Sequence, residues 1–216
     1  MSSSGFTFFA DPLCPLTQAS VILLLFKQTE YSFRPVLSEK DMPELVPFAR
    51  VPVLLVEGKD FLFEPFVFLE YLDAVTFPKL SFSDPLSRAK EMQWVLYAFE
   101  LHSCLKKVLC ARDEDVLSSG IEEFFEMCIS LEQVLMESNS TFRGEEFSLV
   151  DCVYAPLFMR VFLLNNLHDH ESWENFPKVL FWAKSLLRLH VVQESVAVDF
   201  EEKFKQDILE KEGIIV

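Results

Sequence analysis

The chain has 216 residues, half of them hydrophobic and only five of them glycine, which excludes disorder over most of its length and leaves room for one large or two small domains. A net charge of −15 disfavours nucleic acid and anionic membrane surfaces as partners, since both need a Lys/Arg face. The 23 phenylalanines therefore point to an aromatic-rich interior and not to a base-stacking surface.

Phe6 to Ala10 is a brief run of aromatic and β-branched residues and reads as a short buried strand. Asp11-Pro12 breaks it. A helix follows from Pro15 to about Thr29, with Pro15 at the first position, where its missing N–H is not needed. Cys14 then falls at the cap. There the unpaired N–H groups and the positive end of the helix dipole face its sulfur, an arrangement that favours the thiolate. A free cysteine is also a common buried apolar residue, and this stretch alone does not separate the two readings.

Tyr31 to Leu37 alternates large and polar residues and reads as a second strand; Ser38 to Val46 reads as a short irregular helix. Val51 to Val56 is an apolar strand with a proline near its start, where proline is tolerated. Glu57 to Asp60 turns the chain, and Phe61 to Phe63 returns as the hairpin partner. Pro65 to Val75 carries a helical stripe at Phe66, Leu69, Tyr71, Leu72 and Val75. The proline-punctuated stretch Phe77 to Pro85 marks a boundary. The reading is a first domain over 1–78, a linker over 79–85 and an all-helical domain over 86–216. Helices are expected at Leu86 to Leu109, Val116 to Glu137, Leu149 to Leu164, Pro177 to Leu189 and Phe200 to Glu212.

Ser148 and Asp151 form a capping box at the start of the Leu149 helix, whose following residues are apolar on nearly every side. Such a helix belongs in the centre of a bundle and has a packing role. Val196, Phe200, Phe204 and Ile208 recur every four residues and lay the last helix back on the body. Five cysteines, an odd number without a C-x-x-C pair, fit free thiols in a reducing cytoplasm. Met1 to Gly5 lacks the features of a signal peptide, and the apolar run Val21 to Phe26 is too short to cross a bilayer.

Three pieces align in order and spacing with the N-terminal domain of glutathione transferases: Leu13-Cys14-Pro15-Leu16, Arg50-Val51-Pro52-Val53-Leu54, and Phe63-Glu64-Pro65 with Glu70-Tyr71-Leu72-Asp73. Phe147 to Pro156 resembles the capping segment of that family's helical domain. The Cys-Pro start resembles the omega-like and bacterial cysteine-type members. The capping segment also resembles stringent starvation protein A, a bacterial relative that binds RNA polymerase without glutathione chemistry. The resemblance implies an α+β thioredoxin-like N-terminal domain in the order βαβαββα, followed by an all-α helical bundle, as a cytoplasmic homodimer. It implies glutathione as cosubstrate, no metal, and a small electrophile or disulfide as second substrate. It makes Cys14 the catalytic nucleophile, Val51-Pro52 a cis peptide that docks the ligand backbone, and Glu64 a contact for the γ-glutamyl group. Further glutathione contacts fall on Leu16, Lys40 and Pro65, and the second-substrate pocket on Trp94 and Tyr97.

The chain departs from the family where serine is usual. Pro65 supplies neither a hydroxyl nor an N–H to the γ-glutamyl carboxylate, a loss of about 3 kcal/mol, on the order of a hundredfold in affinity. That departure favours the alternative of a non-catalytic interaction protein. The remaining polar candidates give weak signals. His102 and Cys104 lack further ligands at zinc spacing, Asp113 to Asp115 reads as a helix start, and His168-Asp169-His170 reads as a polar loop with exposed histidines.

Overall fold

The computed structural model describes residues 5–36, 51–164, 167 and 170–215. The chain divides into two units, Met1–Ser81 and Phe82–Val216. The first is mixed β and α, the second all helical, as the sequence leads one to expect.

The first unit holds strands β1 (Phe6–Ala10), β2 (Ser32–Pro35), β3 (Val53–Val56) and β4 (Asp60–Phe63), with helices α1 (Pro15–Phe26) and α2 (Pro65–Val75). The strands form one sheet in the order β2-β1-β3-β4, with β1 and β2 parallel and the other pairs antiparallel. Every α1 residue from Thr17 to Leu24 is buried, so this helix is enclosed and not amphipathic. Phe8 of β1 packs against Tyr31 and Phe68 with ring centroids 6.0 and 6.4 Å apart. β3 begins at Val53, two residues later than the apolar run suggests, and α1 stops at Phe26 and not Thr29. The irregular helix expected over 38–46 lies outside the described residues, as do Lys40, His168 and Asp169.

The second unit contains α3 (Pro85–Leu109), α4 (Glu114–Val134), α5 (Leu149–Phe162), α6 (Pro177–Leu187), α7 (His190–Gln193) and α8 (Phe200–Glu210), with a 3₁₀ turn at Glu171–Asn175. Helix α4 starts two residues before the expected Val116 because Asp113 caps it, accepting from Val116 N at 2.9 Å. It ends at Val134, where Leu135 turns to extended backbone. The helix expected to reach Leu189 stops at Leu187, and a separate short turn follows.

Helix α5 is the centre of this unit, with 12 of its 14 residues buried. Its capping box is present as read: Asp151 accepts from the Ser148 N–H and Ser148 hydroxyl at 2.8 and 2.7 Å. The other carboxylate oxygen accepts from Phe142 N at 2.7 Å and Trp182 Nε1 at 2.8 Å. One side chain thus ties a loop, the α5 start and α6 together. Burial pushes the Asp151 carboxyl up to about 6, against these hydrogen bonds. Arg143 grips Glu91 through Nε and Nη2 at 2.7 and 2.6 Å and lies 3.8 Å over the Phe82 ring. Phe200, Phe204 and Ile208 are buried, so the expected stripe packs along the last helix, whereas Val196, its expected first residue, is half-buried and precedes the helix. Arg160 lies over the Phe200 and Phe204 rings at 5.1 and 5.8 Å.

Candidate functional site

The sheet register assembles the site. Phe9 pairs with Val53, and Val53 pairs with Phe63. Three segments therefore leave the sheet at one end: Asp11 to Cys14 after β1, Val51-Pro52 before β3, and Glu64-Pro65 after β4. Neighbouring strands lie about 4.8 Å apart, so three adjacent strands place these segments within roughly 10 Å. Strands β1 and β4 run the same way, and each feeds a helix at that end. Helices α1 and α2 therefore present their N-termini side by side, two partial positive charges suited to an anion.

Cys14 is the N-cap of α1, with Pro15 at the first helical position, as the sequence implies. Its position is fixed by the turn before it. Leu13 N donates to Asp11 Oδ1 at 2.8 Å and Cys14 N donates to the Asp11 carbonyl at 3.0 Å. The Cys14 carbonyl accepts from Gln18 N at 3.1 Å, closing the first helical turn. The Cys14 side chain itself makes no capping hydrogen bond. The Cys14 thiol is free and half-buried, so it is neither sealed in the core nor fully exposed.

Val51-Pro52 is a cis peptide, and Val51 is exposed. Phe77-Pro78 is also cis, which no sequence signal announced. Glu64 is exposed and caps α2 with φ 73° and ψ 112°, accepting from Val67 N at 2.9 Å. A glutamate at positive φ outside a tight turn costs about 1–3 kcal/mol and persists where the surroundings hold it. Such backbone strain clusters at functional sites. No residue pattern in the sequence signals it, because the strain comes from the junction of β4 with α2. Pro65 occupies the first turn of α2, and the Glu64 side chain makes no capping hydrogen bond.

Leu16 sits in the first turn of α1, half-buried, next to Cys14. Trp94 and Tyr97 belong to α3 in the second unit. Their rings meet edge to face at 5.7 Å, and Trp94 also packs against Phe142. The Tyr97 hydroxyl donates to the Met127 carbonyl at 2.9 Å. Tyr97 lines an open groove of about 440 Å³ with Glu100, Cys104 and Glu123. His102 is buried and hydrogen-bonded to the Val153 carbonyl at 3.0 Å. His170 is half-buried, not exposed as expected: it stacks on Phe125 at 4.9 Å and its Nδ1 accepts from Ser172 N. Among the described residues no group of three or more His, Cys, Asp or Glu side chains could hold a metal ion. No described helix is long and apolar enough to cross a membrane.

The fold of the chain is that of known proteins. A glutathione transferase omega 3C from Trametes versicolor superposes with a TM-score of 0.78, covering 91% of this chain and 90% of that one at 22% identity. The chain has the glutathione transferase fold. A glutathione transferase family member from Pseudomonas fluorescens, solved with two glutathione molecules bound, shares that fold with a TM-score of 0.75, covering 89% and 92% of the two chains at 18% identity. In sequence, the chain is 28% identical to glutathione S-transferase omega-2 of Rattus norvegicus over 186 residues, 80% of this chain and 71% of that protein. The omega-2 protein of Mus musculus is matched at 30% identity over 56% of its own length. A stringent starvation protein A homolog of Histophilus somni is 29% identical over 160 residues, 72% of this chain and 74% of that protein. No protein-family model matches the chain.

Proposed function

We propose that the protein is a glutathione-dependent thiol transferase or reductase of the omega-like kind, with Cys14 as nucleophile. The observation that carries this reading is the pairing of Phe9 with Val53 and of Val53 with Phe63, which gathers Cys14, cis-Pro52 and Glu64 at one sheet end. The Val51 backbone is the docking point for the tripeptide, and Glu64 the contact for its γ-glutamyl amine. The paired helix N-termini favour its carboxylates and an anionic sulfur.

The chemistry is disulfide exchange. The Cys14 thiolate attacks the glutathione sulfur of a glutathionylated substrate. A Cys14–glutathione disulfide forms, the substrate S–S bond breaks, and the departing substrate thiolate takes up a proton. A free glutathione thiolate then attacks the mixed disulfide, which releases oxidised glutathione and restores the Cys14 thiolate. In each turnover one glutathionylated substrate is reduced to its thiol and one free glutathione is oxidised, leaving as oxidised glutathione together with the glutathionyl group taken from the substrate. With no second cysteine near Cys14 in sequence, free glutathione is the resolving thiol. The reading carries with it a cytoplasmic homodimer.

A second reading is favoured by Pro65, which stands at the first position of α2 and supplies neither a hydroxyl nor an N–H there. There the protein is a non-catalytic binder of RNA polymerase or another protein, similar to stringent starvation protein A. Calorimetric titration with glutathione separates the two, together with turnover of a glutathionylated peptide. The enzymatic reading expects millimolar or tighter binding and turnover that Cys14→Ala abolishes. No heat of binding at millimolar glutathione, or full turnover by Cys14→Ala, overturns it.

A further inference from the structure

Cys14 and Thr17 sit one turn apart at the start of α1. Cys14 is the N-cap and Thr17 the third helical residue. Residues three apart share a helix face. This is the spacing of a C-x-x-C pair, whose two sulfurs reach bonding distance when the first opens a helix. Here the second position carries a hydroxyl and not a thiol. Thr17 is 1% exposed, and its Oγ1 is sealed from water without a hydrogen-bond partner. A buried hydroxyl left unpaired costs about 1–3 kcal/mol. A helical threonine usually avoids that cost by donating to a carbonyl in the preceding turn. Thr17 does not. The Cys14 side chain makes no capping hydrogen bond, and the opening turn of α1 holds an unused buried donor.

We propose that Thr17 is a positioning residue for Cys14, its hydroxyl donating a hydrogen bond to the sulfur when the sulfur is anionic. The proposal rests on Cys14 being the nucleophile. A neutral thiol is a weak acceptor, whereas a charged one makes a hydrogen bond about twice as strong. The bond therefore forms as charge develops. Among the described residues, the carboxylates Asp11 and Glu64 stand at this end of the sheet and oppose charge on the sulfur, while Arg34 of β2, paired with Phe9, stands at the same end with a positive charge. Asp11 is already held by Leu13 N. The hydroxyl also serves the second half of the exchange. When free glutathione attacks the mixed disulfide, Cys14 is the leaving group, and a stabilised thiolate leaves faster.

Thr17→Val keeps the shape and removes the donor; Thr17→Ser keeps the donor. The rate at which iodoacetamide alkylates the Cys14 peptide is followed across pH by mass spectrometry, so that Cys110 is counted separately. The Thr17→Val profile moves to higher pH, and its rate at neutral pH falls about three- to tenfold, the size of a half to one unit of ionisation. Thr17→Ser follows the wild type. A Thr17→Val profile that coincides with the wild type, or a Thr17→Ser profile that coincides with Thr17→Val, overturns the proposal. Thr17→Cys tests the geometry even if Thr17→Val fails to fold: it forms a disulfide with Cys14 under mild oxidation, and its failure to do so means the two side chains do not meet. Alkylation needs no glutathione. A shifted alkylation profile without glutathione turnover would sink the enzymatic reading and leave the Thr17 assignment standing.

Discussion

Lys27 Nζ lies 2.6 Å from Asp73 Oδ1, and both side chains are sealed from solvent. Lys27 closes α1 and Asp73 lies in the last turns of α2, so one buried ion pair pins the two helices at the ends away from the candidate site. Leu80 N and Ser81 N donate to the same carboxylate at 2.8 and 3.0 Å. Burial raises the Asp73 carboxyl, but the hydrogen bonds from Lys27, Ser81 and Leu80 outweigh it and hold it below the ordinary value. Lys27→Met strands a buried carboxylate and lowers stability by about 3–5 kcal/mol in urea unfolding. Adding Asp73→Asn to that variant restores part of the loss. The depressed carboxyl contributes its full stability above its unfolded value and loses it only as pH falls through the folded value. Its contribution is therefore constant between pH 7 and pH 5.

His102 gives the opposite test, one that responds in that window. Burial pushes its imidazole down to about 4; the hydrogen bond to the Val153 carbonyl resists this, and the Arg160 charge adds to it. The folded chain therefore holds His102 neutral, while the unfolded chain takes up a proton below about pH 6.5. Stability from this group is whole above pH 6.5 and falls as pH drops toward 4. The deficit of His102→Gln relative to wild type should shrink by about 2 kcal/mol between pH 7 and pH 5, measured by urea unfolding. Asp151, pushed up to about 6, tilts the other way over the same range, since its folded form prefers the proton. The wild-type profile alone is therefore a poor readout, and the comparison with the variant isolates His102.

Glu132 caps a helix from a distance. Its carboxylate accepts from Lys178 N and Val179 N at the start of α6, where the Phe176 side chain cannot. Glu132→Ala should cost about 1–2 kcal/mol, and Glu132→Gln less, because the amide oxygen still accepts but the charge at the helix end is gone. Equilibrium unfolding of the two variants checks the order.

The thiols separate by burial. Cys110 is exposed and Cys14 half-buried, whereas Cys104, Cys128 and Cys152 are buried. Burial also pushes the Cys104 thiol up to about 11 and the Cys128 thiol higher still. Native protein treated with an alkylating reagent should therefore gain two modifications rapidly, at Cys14 and Cys110. The other three should follow only on unfolding, as read by intact mass.

What the sequence made legible is what local chemistry decides. Pro15 after Cys14 marks a helix start, Ser148 with Asp151 a cap, and the apolar run from Val51 to Val56 a strand. Each rests on residues within five positions of one another. What stayed hidden depends on distant residues. Asp151 reads as a cap, but its bonds to Phe142 N and Trp182 Nε1 arise only when loop, α5 and α6 pack. Lys27 and Asp73 are 46 residues apart and carry no motif. His170 looks like loop surface until Phe125 stacks on it. In the candidate site, the cap position of Cys14 was readable from its neighbours and the cis peptide before Pro52 only from the family resemblance, whereas the strained Glu64 backbone and the unpartnered Thr17 hydroxyl were not.

The proposed activity requires Cys14 to exchange disulfides with glutathione. Native protein incubated with oxidised glutathione, then digested and analysed by mass spectrometry, tests that directly. The predicted result is a glutathione adduct on the Cys14 peptide that free glutathione removes and that Cys14→Ala lacks. An adduct confined to Cys110, or none at all, would contradict it.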